Sequence, residues 1–374
     1  MKTNDKLRTY ALSEIAHTKV HGRTTGRLDP MTLFWTGSGV EWNVKAGELW
    51  IEVEADYDRN EPWISVVVNG APVSRQMITA GRHWLCVFRV MNEDTVKNVR
   101  IVKDTQAMSG DPGCLLQIRS VRCDGEFLPV ADKPHKIEFV GDSITSGEGA
   151  IGATVEQDWI PMWFSAIDNY AAMTAEALDA EYRILSQSGW GVVTGWDNNP
   201  HASLPAYYEQ VGGLLEGERN GELGARDEND FAAWQPDVVV VNLGTNDDGA
   251  FHYQAWRDPQ TGETYEQRLN ADGTMNADDL AVFERAVAQF VGKLRRCNRD
   301  AHIVWAYGML GSAMLPAIER AVGAYRAQSG DEKVTVVELP GMTDDTAGAR
   351  NHPGKSAHAQ AAGVLVGAIR PLLD

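Results

Sequence analysis

Along the first third of the chain, apolar positions recur at every second residue. Leu49, Ile51, Val53 and Ala55 alternate with Trp50, Glu52 and Glu54, the period of a strand with one buried face. Trp63–Val68 reads as another strand, and Asn69-Gly70 after it is strong hairpin chemistry, because both residues tolerate the positive φ of a tight turn. Trp84–Val90, Val96–Lys103 and Leu115–Arg122 continue at short spacing, separated by Gly, Asp, Asn and Pro. Short strands in succession without a long helix predict a β-sandwich over residues 1–134.

The period changes after Pro129–Pro134. Lys136–Val140 is a short strand that runs into Gly141, and strands then alternate with helices. Asp237–Leu243 holds Val238, Val239, Val240 and Val241 in an unbroken β-branched run, which suits a central parallel strand covered on both faces. Leu280, Phe283, Val287, Phe290, Val291 and Leu294 fall on one helical face, with Asn276 as the N-cap and an end near Asn298. His302–Ala306 and Val334–Leu339 are strands, and Ser312–Gln328 and Ser356–Leu373 are helices. The alternation predicts a three-layer α/β/α domain with a parallel sheet over residues 135–374. Leu214–Asp230 and Asp247–Met275 read as long loops.

Composition narrows the function. The 34 Lys and Arg against 52 Asp and Glu leave a net charge of −18, which disfavours nucleic acid and anionic membrane surfaces as partners. No apolar run is long enough for a transmembrane helix. Met1–Pro30 lacks the apolar block of a secretory signal, so a cytoplasmic location is expected unless a leader was removed from the chain. The four cysteines, Cys86, Cys114, Cys123 and Cys297, show no zinc-ligand spacing and read as reduced thiols. No metal or other cofactor is expected, and the sequence leaves the oligomeric state open.

In open parallel sheets, ligands bind beyond the carboxyl ends of the strands. Three such ends carry unusual residues here: Gly141-Asp142-Ser143-Ile144-Thr145, Ser186-Gln187-Ser188-Gly189-Trp190-Gly191, and Gly244-Thr245-Asn246-Asp247. A fourth element, Asn351-His352-Pro353, precedes the last helix. Ser143 is a candidate nucleophile that needs a base to take its proton, and His352 can supply one. The N–H groups of Ser143 and Gly189 and the Asn246 amide can stabilise the oxyanion of a tetrahedral intermediate. Each motif alone is also a plausible turn. Their order and their places at strand ends together indicate acyl transfer. Asp142 reads as a brace of its turn, and His358 as a surface residue of the last helix. Gly147-Glu148-Gly149-Ala150-Ile151-Gly152 fits the dinucleotide GxGxxG pattern, but it follows the strand too late to hold a pyrophosphate.

The four blocks resemble those of the SGNH (GDSL-type) hydrolases over residues 136–374. With the β-domain in front, Ser188-Gly189-Trp190-Gly191 and Tyr307-Gly308-Met309, the chain is similar to carbohydrate esterase family 2, whose members pair a jelly-roll β-sandwich with an SGNH domain and deacetylate plant polysaccharides. The resemblance implies Ser143 as nucleophile, His352 as base, and Ser143, Gly189 and Asn246 as the oxyanion hole. One position departs from the pattern. SGNH enzymes usually carry an Asp three residues before the catalytic His, and Ala349 stands there. Some members of family 2 work with a Ser-His dyad oriented by a main-chain carbonyl, which is the expectation here, with Asp344 and Asp345 as lesser candidates for the missing partner.

Twelve tryptophans bear on the substrate, since sugar rings stack on aromatic faces. Trp190, Trp196 and Trp256 lie in loops expected to rim the site. Together with the negative charge they favour a neutral acetylated oligosaccharide or polysaccharide of the xylan or mannan class, with a lean from the resemblance toward the 6-position. A lipase, thioesterase or arylesterase of the same superfamily, and an inactive glycan-binding homologue, stay open as alternatives.

Overall fold

A computed structural model describes residues 5–373; Asp374 and the first four residues of the Met1–Pro30 run lie outside the described residues. The chain divides into two compact units. Of the described residues, one unit holds those up to Asp132 with Ile160–Met162 and Gln210–Asn229; the other holds Lys133–Trp159, Trp163–Glu209 and those from Asp230.

The first unit is built from eleven strands among the described residues: β1 Arg8–Ala11, β2 Lys19–His21, β3 Met31–Thr32, β4 Gly39–Lys45, β5 Leu49–Asp56, β6 Trp63–Val68, β7 Ala71–Met77, β8 Gly81–Phe88, β9 Val96–Lys103, β10 Leu115–Cys123 and β11 Glu126–Leu128. They form two antiparallel sheets. One runs β1-β10-β5-β8 with β3 on β10, and the other runs β11-β4-β9-β6-β7 with β2 on β4. Leu49, Ile51, Val53 and Ala55 of β5 are at most 2 % exposed, while the residues between them are half-buried. They pack against Val40, Trp42, Val44, Val99 and Ile101 of the other sheet, the arrangement of a β-sandwich. Asn69 and Gly70 join β6 to β7 at φ 52° and 78°, the positive angles that the Asn-Gly pair anticipates. β8 starts and stops earlier than its apolar pattern suggests, and Val90 beyond it is exposed at φ 57°.

The expected loop Leu214–Asp230 falls almost wholly in the segment Gln210–Asn229, which belongs to this unit and is anchored just ahead of that loop. The segment carries a short helix, Glu218–Glu222, and its backbone carbonyls at Gln210 and Val211 accept from the Arg23 guanidinium and the Trp35 indole at 3.0 and 2.6 Å. Side-chain composition does not report this anchoring, because both bonds are accepted by main-chain carbonyls.

The second unit holds, in chain order, β12 His135–Gly141, α1 Ser143–Ser146, α2 Tyr170–Ala177, β13 Ala180–Ser186, β14 Val238–Asn242, α3 Thr245–Phe251, α4 Ala277–Cys297, β15 His302–Tyr307, α5 Leu315–Ser329, β16 Val334–Glu338 and α6 Lys355–Leu373. The strands form one parallel sheet in the order β13-β12-β14-β15-β16. Val238 and Val240 pack with residues of α2 and α6 on one face of the sheet. On the other face the Trp305 ring meets Phe290 of α4 edge-on at 6.3 Å. Helices on both faces explain why β14 has no polar alternation. Asn276 caps α4 as expected, accepting from the N–H groups of Asp278 and Asp279. The expected loop Asp247–Met275 begins instead as part of α3 and contains a pair of two-residue strands, Trp256–Arg257 and Thr264–Tyr265.

His358 corrects the expectation of a surface residue. It is fully buried on α6, in helical step with Ala361, Ala362, Leu365 and Ile369, and its Nδ1 accepts the Tyr170 N–H at 3.2 Å. Its ring stacks on Tyr170 with an interplanar angle of 9°. Burial lowers its pKa to about 3, and the nearby His352 adds to the fall. A histidine depressed in the folded state takes up its proton on unfolding, so the stability it contributes is present above the unfolded value near 6.5 and is lost as pH falls below it. At pH 5 this costs about 2 kcal/mol. Replacing His358 by Gln is expected to remove that part of the acid sensitivity, read as the difference between denaturant stabilities at pH 7.5 and pH 5 in the two proteins. Equal losses in both would show that His358 stays neutral in the unfolded chain or charged in the folded one.

Candidate active site

β12 delivers the first motif. The chain leaves Gly141 into α1, whose N-cap is Asp142, its carboxylate accepting the Ile144 N–H at 3.0 Å. This brace fits the structural role expected for Asp142. Ser143, the first residue of the helix, is 6 % exposed. Its Oγ lies 2.9 Å from His352 Nε2, across 209 residues of sequence. The other imidazole nitrogen, Nδ1, lies 2.8 Å from the main-chain carbonyl of Arg350. A carbonyl only accepts, so Nδ1 carries the proton and Nε2 is left to accept the serine hydroxyl. This is the tautomer a general base requires.

Ala349 is buried and has no carboxylate to offer. Asp344 and Asp345 are exposed on a short 3₁₀ turn and do not line the cavity around Ser143. The partner of Nδ1 is the Arg350 carbonyl, brought into place because Arg350 and Asn351 adopt left-handed conformations with φ 57° and 52°.

Ser143, Gly189, Asn246 and His352 line one cavity of about 500 Å³. Gly189 has φ 81°, where a side chain is strained, and a Cβ there would lie 3.1 Å from the Trp196 ring, a tight contact. Asn246 stands in the first turn of α3 with its amide Nδ2 3.1 Å from Asp142 Oδ2 and 2.9 Å from the Trp190 carbonyl. Two acceptors fix which end of that amide is nitrogen. An oxyanion arriving there would share these hydrogens with the acceptors. Asp247 next to it takes the N–H groups of Val192, Val193 and Thr194 and so pins the loop that follows Gly189.

Burial raises both acids of this floor. Asp142 is pushed up to about 7, opposed by the Ile144 N–H and reinforced by the nearby Asp247 and Glu148 carboxylates. Asp247 is pushed up to about 6, burial outweighing its three backbone donors.

The tryptophans divide. Trp196 lines the cavity, 47 % exposed, with its ring edge-on to Tyr253 at 4.6 Å. Trp190 and Trp256 do not line it: the Trp190 ring packs near Tyr207 at 5.5 Å, and Trp256 sits between Tyr265 and His201. Four lining residues have no role assigned from the sequence: Glu148, Trp159, Ser188 and Arg350. Glu148 lay in plain view inside the rejected GxGxxG run, while Trp159 falls in an irregular stretch with no periodic signal. Among the described residues no cluster of His, Cys, Asp and Glu is placed to hold a metal. No helix among them is long and apolar enough to cross a membrane.

Residues 139–364 match the GDSL-like lipase/acylhydrolase family model. The chain belongs to this family. Its sequence is 25 % identical over 371 residues, 98 % of this chain and 91 % of the relative, to an acetylxylan esterase/glucomannan deacetylase of Cellvibrio japonicus. Among solved structures, an acetyl xylan esterase, Est2A, from the rumen bacterium Butyrivibrio proteoclasticus is 46 % identical, covers 98 % of both chains and superposes with a TM-score of 0.97. A family two carbohydrate esterase from Clostridium thermocellum, solved with cellohexaose, shares the fold at a TM-score of 0.77 and 24 % identity, covering 95 % of this chain and 99 % of that one. The resemblance to the GDSL hydrolases and to carbohydrate esterase family 2 holds, and with it the expected pairing of a β-sandwich with a parallel α/β domain.

Proposed function

We propose that this GDSL-family protein removes O-acetyl groups from neutral plant-type glycans of the xylan or glucomannan class, through an acyl-enzyme on Ser143. The observation that carries this is the 2.9 Å contact between Ser143 Oγ and a His352 held by the Arg350 carbonyl in its base-competent tautomer. The names of the relatives supply the substrate class.

In this reading Ser143 Oγ attacks the acetyl carbonyl carbon while His352 Nε2 takes the hydroxyl proton. The Ser143 and Gly189 N–H groups and the Asn246 amide meet the oxyanion. On collapse the C–O bond to the sugar breaks, and the imidazolium gives its proton to the departing sugar oxygen. A water then attacks the acetyl-serine, His352 again takes and returns a proton, and acetate leaves. One ester and one water become one alcohol and one acetic acid, with the enzyme restored.

The burial of Ser143 favours an acetyl on the 6-oxygen. An exocyclic carbon carries that ester away from the ring, so it reaches a recessed hydroxyl with less demand on the cavity than an acetyl on a ring oxygen. Trp159 and Trp196 would serve the sugar ring, and the net charge of −18 suits a glycan without acidic groups.

The test is acetate release from oligosaccharides acetylated at defined positions, run beside acetyl, butyryl and octanoyl esters of one alcohol. Turnover is expected to be highest on 6-O-acetyl hexopyranosides and to fall with acyl length. A preference for octanoyl esters would overturn the assignment in favour of a lipase.

A further inference from the structure

The pairing of His352 with a carbonyl leaves two tasks of a triad carboxylate unassigned: holding the imidazole in place, and balancing the positive charge it gains when it takes the serine proton. A main-chain carbonyl has no net charge, and one on a left-handed residue stays where it is only if its surroundings hold it there. Both tasks trace to the loop after α1.

Residues 349–351 are fastened to that loop along their length. The N–H of Ala349 donates to the Gly149 carbonyl at 3.2 Å, and the N–H of Arg350 donates to the Glu156 carbonyl at 2.7 Å. The Arg350 side chain returns to the same loop, with Nε on Glu148 Oε1 at 2.9 Å and Nη1 on the Gln157 carbonyl at 3.1 Å. Glu148 is held in turn: its Oε2 accepts from Ser188 Oγ at 2.6 Å and from the Trp159 indole at 3.3 Å. Its side chain is 2 % exposed, and Oε1 lies 3.8 Å from His352 Nε2.

We propose that Glu148 takes the place of the missing triad carboxylate: through Arg350 it aims the Arg350 carbonyl at His352 Nδ1, and its charge stands beside the imidazolium that forms at Nε2. Glu148 is thus a positioning residue that approaches the ring from the side opposite to the usual Asp. The charged and titratable groups facing His352 are Glu148, the Arg350 guanidinium and, from α6, the buried His358, which burial keeps neutral. Glu148 is the one anion among these three. The Gly-Glu-Gly run that resembles a nucleotide motif therefore belongs to the esterase site.

This inference rests on His352 acting as the base for Ser143, and the experiment separates the two. Full-length wild type, Ser143→Ala, Glu148→Gln, Glu148→Asp and Arg350→Lys are assayed for kcat and KM on one acetylated oligosaccharide across pH, with folding checked by circular dichroism. Glu148→Gln is expected to lower kcat on the order of 10- to 100-fold with KM little changed, and to move the acid limb of the kcat/KM profile to lower pH, since the carboxylate 3.8 Å from Nε2 is lost. Glu148→Asp keeps the charge and is expected to restore the limb. Arg350→Lys keeps the cation but loses the planar fork, so kcat falls while the limb stays. A folded Glu148→Gln with wild-type kcat and limb overturns the proposal, as does a loss confined to KM. If that variant does not fold, a folded Arg350→Lys with wild-type kcat overturns it equally. A wild type that releases no acetate, or a Ser143→Ala that does, overturns the underlying dyad instead.

Discussion

Ser143→Ala is expected to reduce acetate release on the order of 10⁴-fold in kcat while leaving the protein folded and able to bind glycan. The hydroxyl at hydrogen-bond distance from His352 Nε2 is that of Ser143. Without Oγ the base has nothing to activate except water, and what remains comes from binding and oxyanion stabilisation. The cost to stability is small, about 1 kcal/mol, because the change removes one hydroxyl and one hydrogen bond and keeps the β-carbon. Steady-state kinetics with a denaturation curve measures both. Mass spectrometry supplies an independent readout: an acetyl adduct trapped on the wild type early in turnover should be absent from the variant. More than about a tenth of wild-type turnover in Ser143→Ala would remove Ser143 from the chemistry, since general nucleophile losses are far larger.

Gly149→Ala is expected to damage both stability and turnover. The residue has φ 72°, and a Cβ there would fall 2.4 Å from the Ala349 carbonyl oxygen and 2.6 Å from His352 Cβ. Neither neighbour is a flexible side-chain end, so the backbone of the His352 loop must move. The left-handed conformation alone costs a β-carbon about 1–2 kcal/mol, and with the clash the loss of stability should reach about 3 kcal/mol. A shift of about 1 Å in a catalytic group costs on the order of 100-fold in rate, and kcat should fall by that factor even in molecules that remain folded. Gly323→Ala on α5 is the control. A Cβ there meets nothing within 4 Å, so the change should leave turnover alone and raise helix stability by up to about 1 kcal/mol. Equal behaviour of the two variants would refute the steric account of Gly149.

What was legible in the chain follows from what each segment answers to. Strands β5, β6 and β9 could be read at or near their ends because an alternating or uniformly apolar run reports its own burial. The α4 helix could be read because its cap and its apolar stripe are local. The same logic missed α2, whose alanine-rich stretch from Tyr170 to Ala177 has almost no amphipathic contrast, and it misplaced His358 because one histidine on an otherwise apolar stripe was weighed alone. Of the site, the strand-end motifs around Ser143, Gly189 and Asn246 stood out, since small and polar residues that follow a buried strand are conspicuous. Glu148, Trp159 and Arg350 did not.

By itself, then, the sequence determined the class of each half of the chain, the family, and the set of strand ends from which a site could be assembled. These properties depend on periodicity and on residue chemistry within short windows. Only the tertiary structure decided what orients His352, which tryptophans face the cavity, and that Glu148 stands beside the imidazole. Each of these depends on contacts between residues as far apart as Glu148 and Arg350, and on the left-handed turn at Arg350, a conformation its side chain does not announce. Such contacts are set by how the loops close over the sheet, and no short window of sequence carries that geometry.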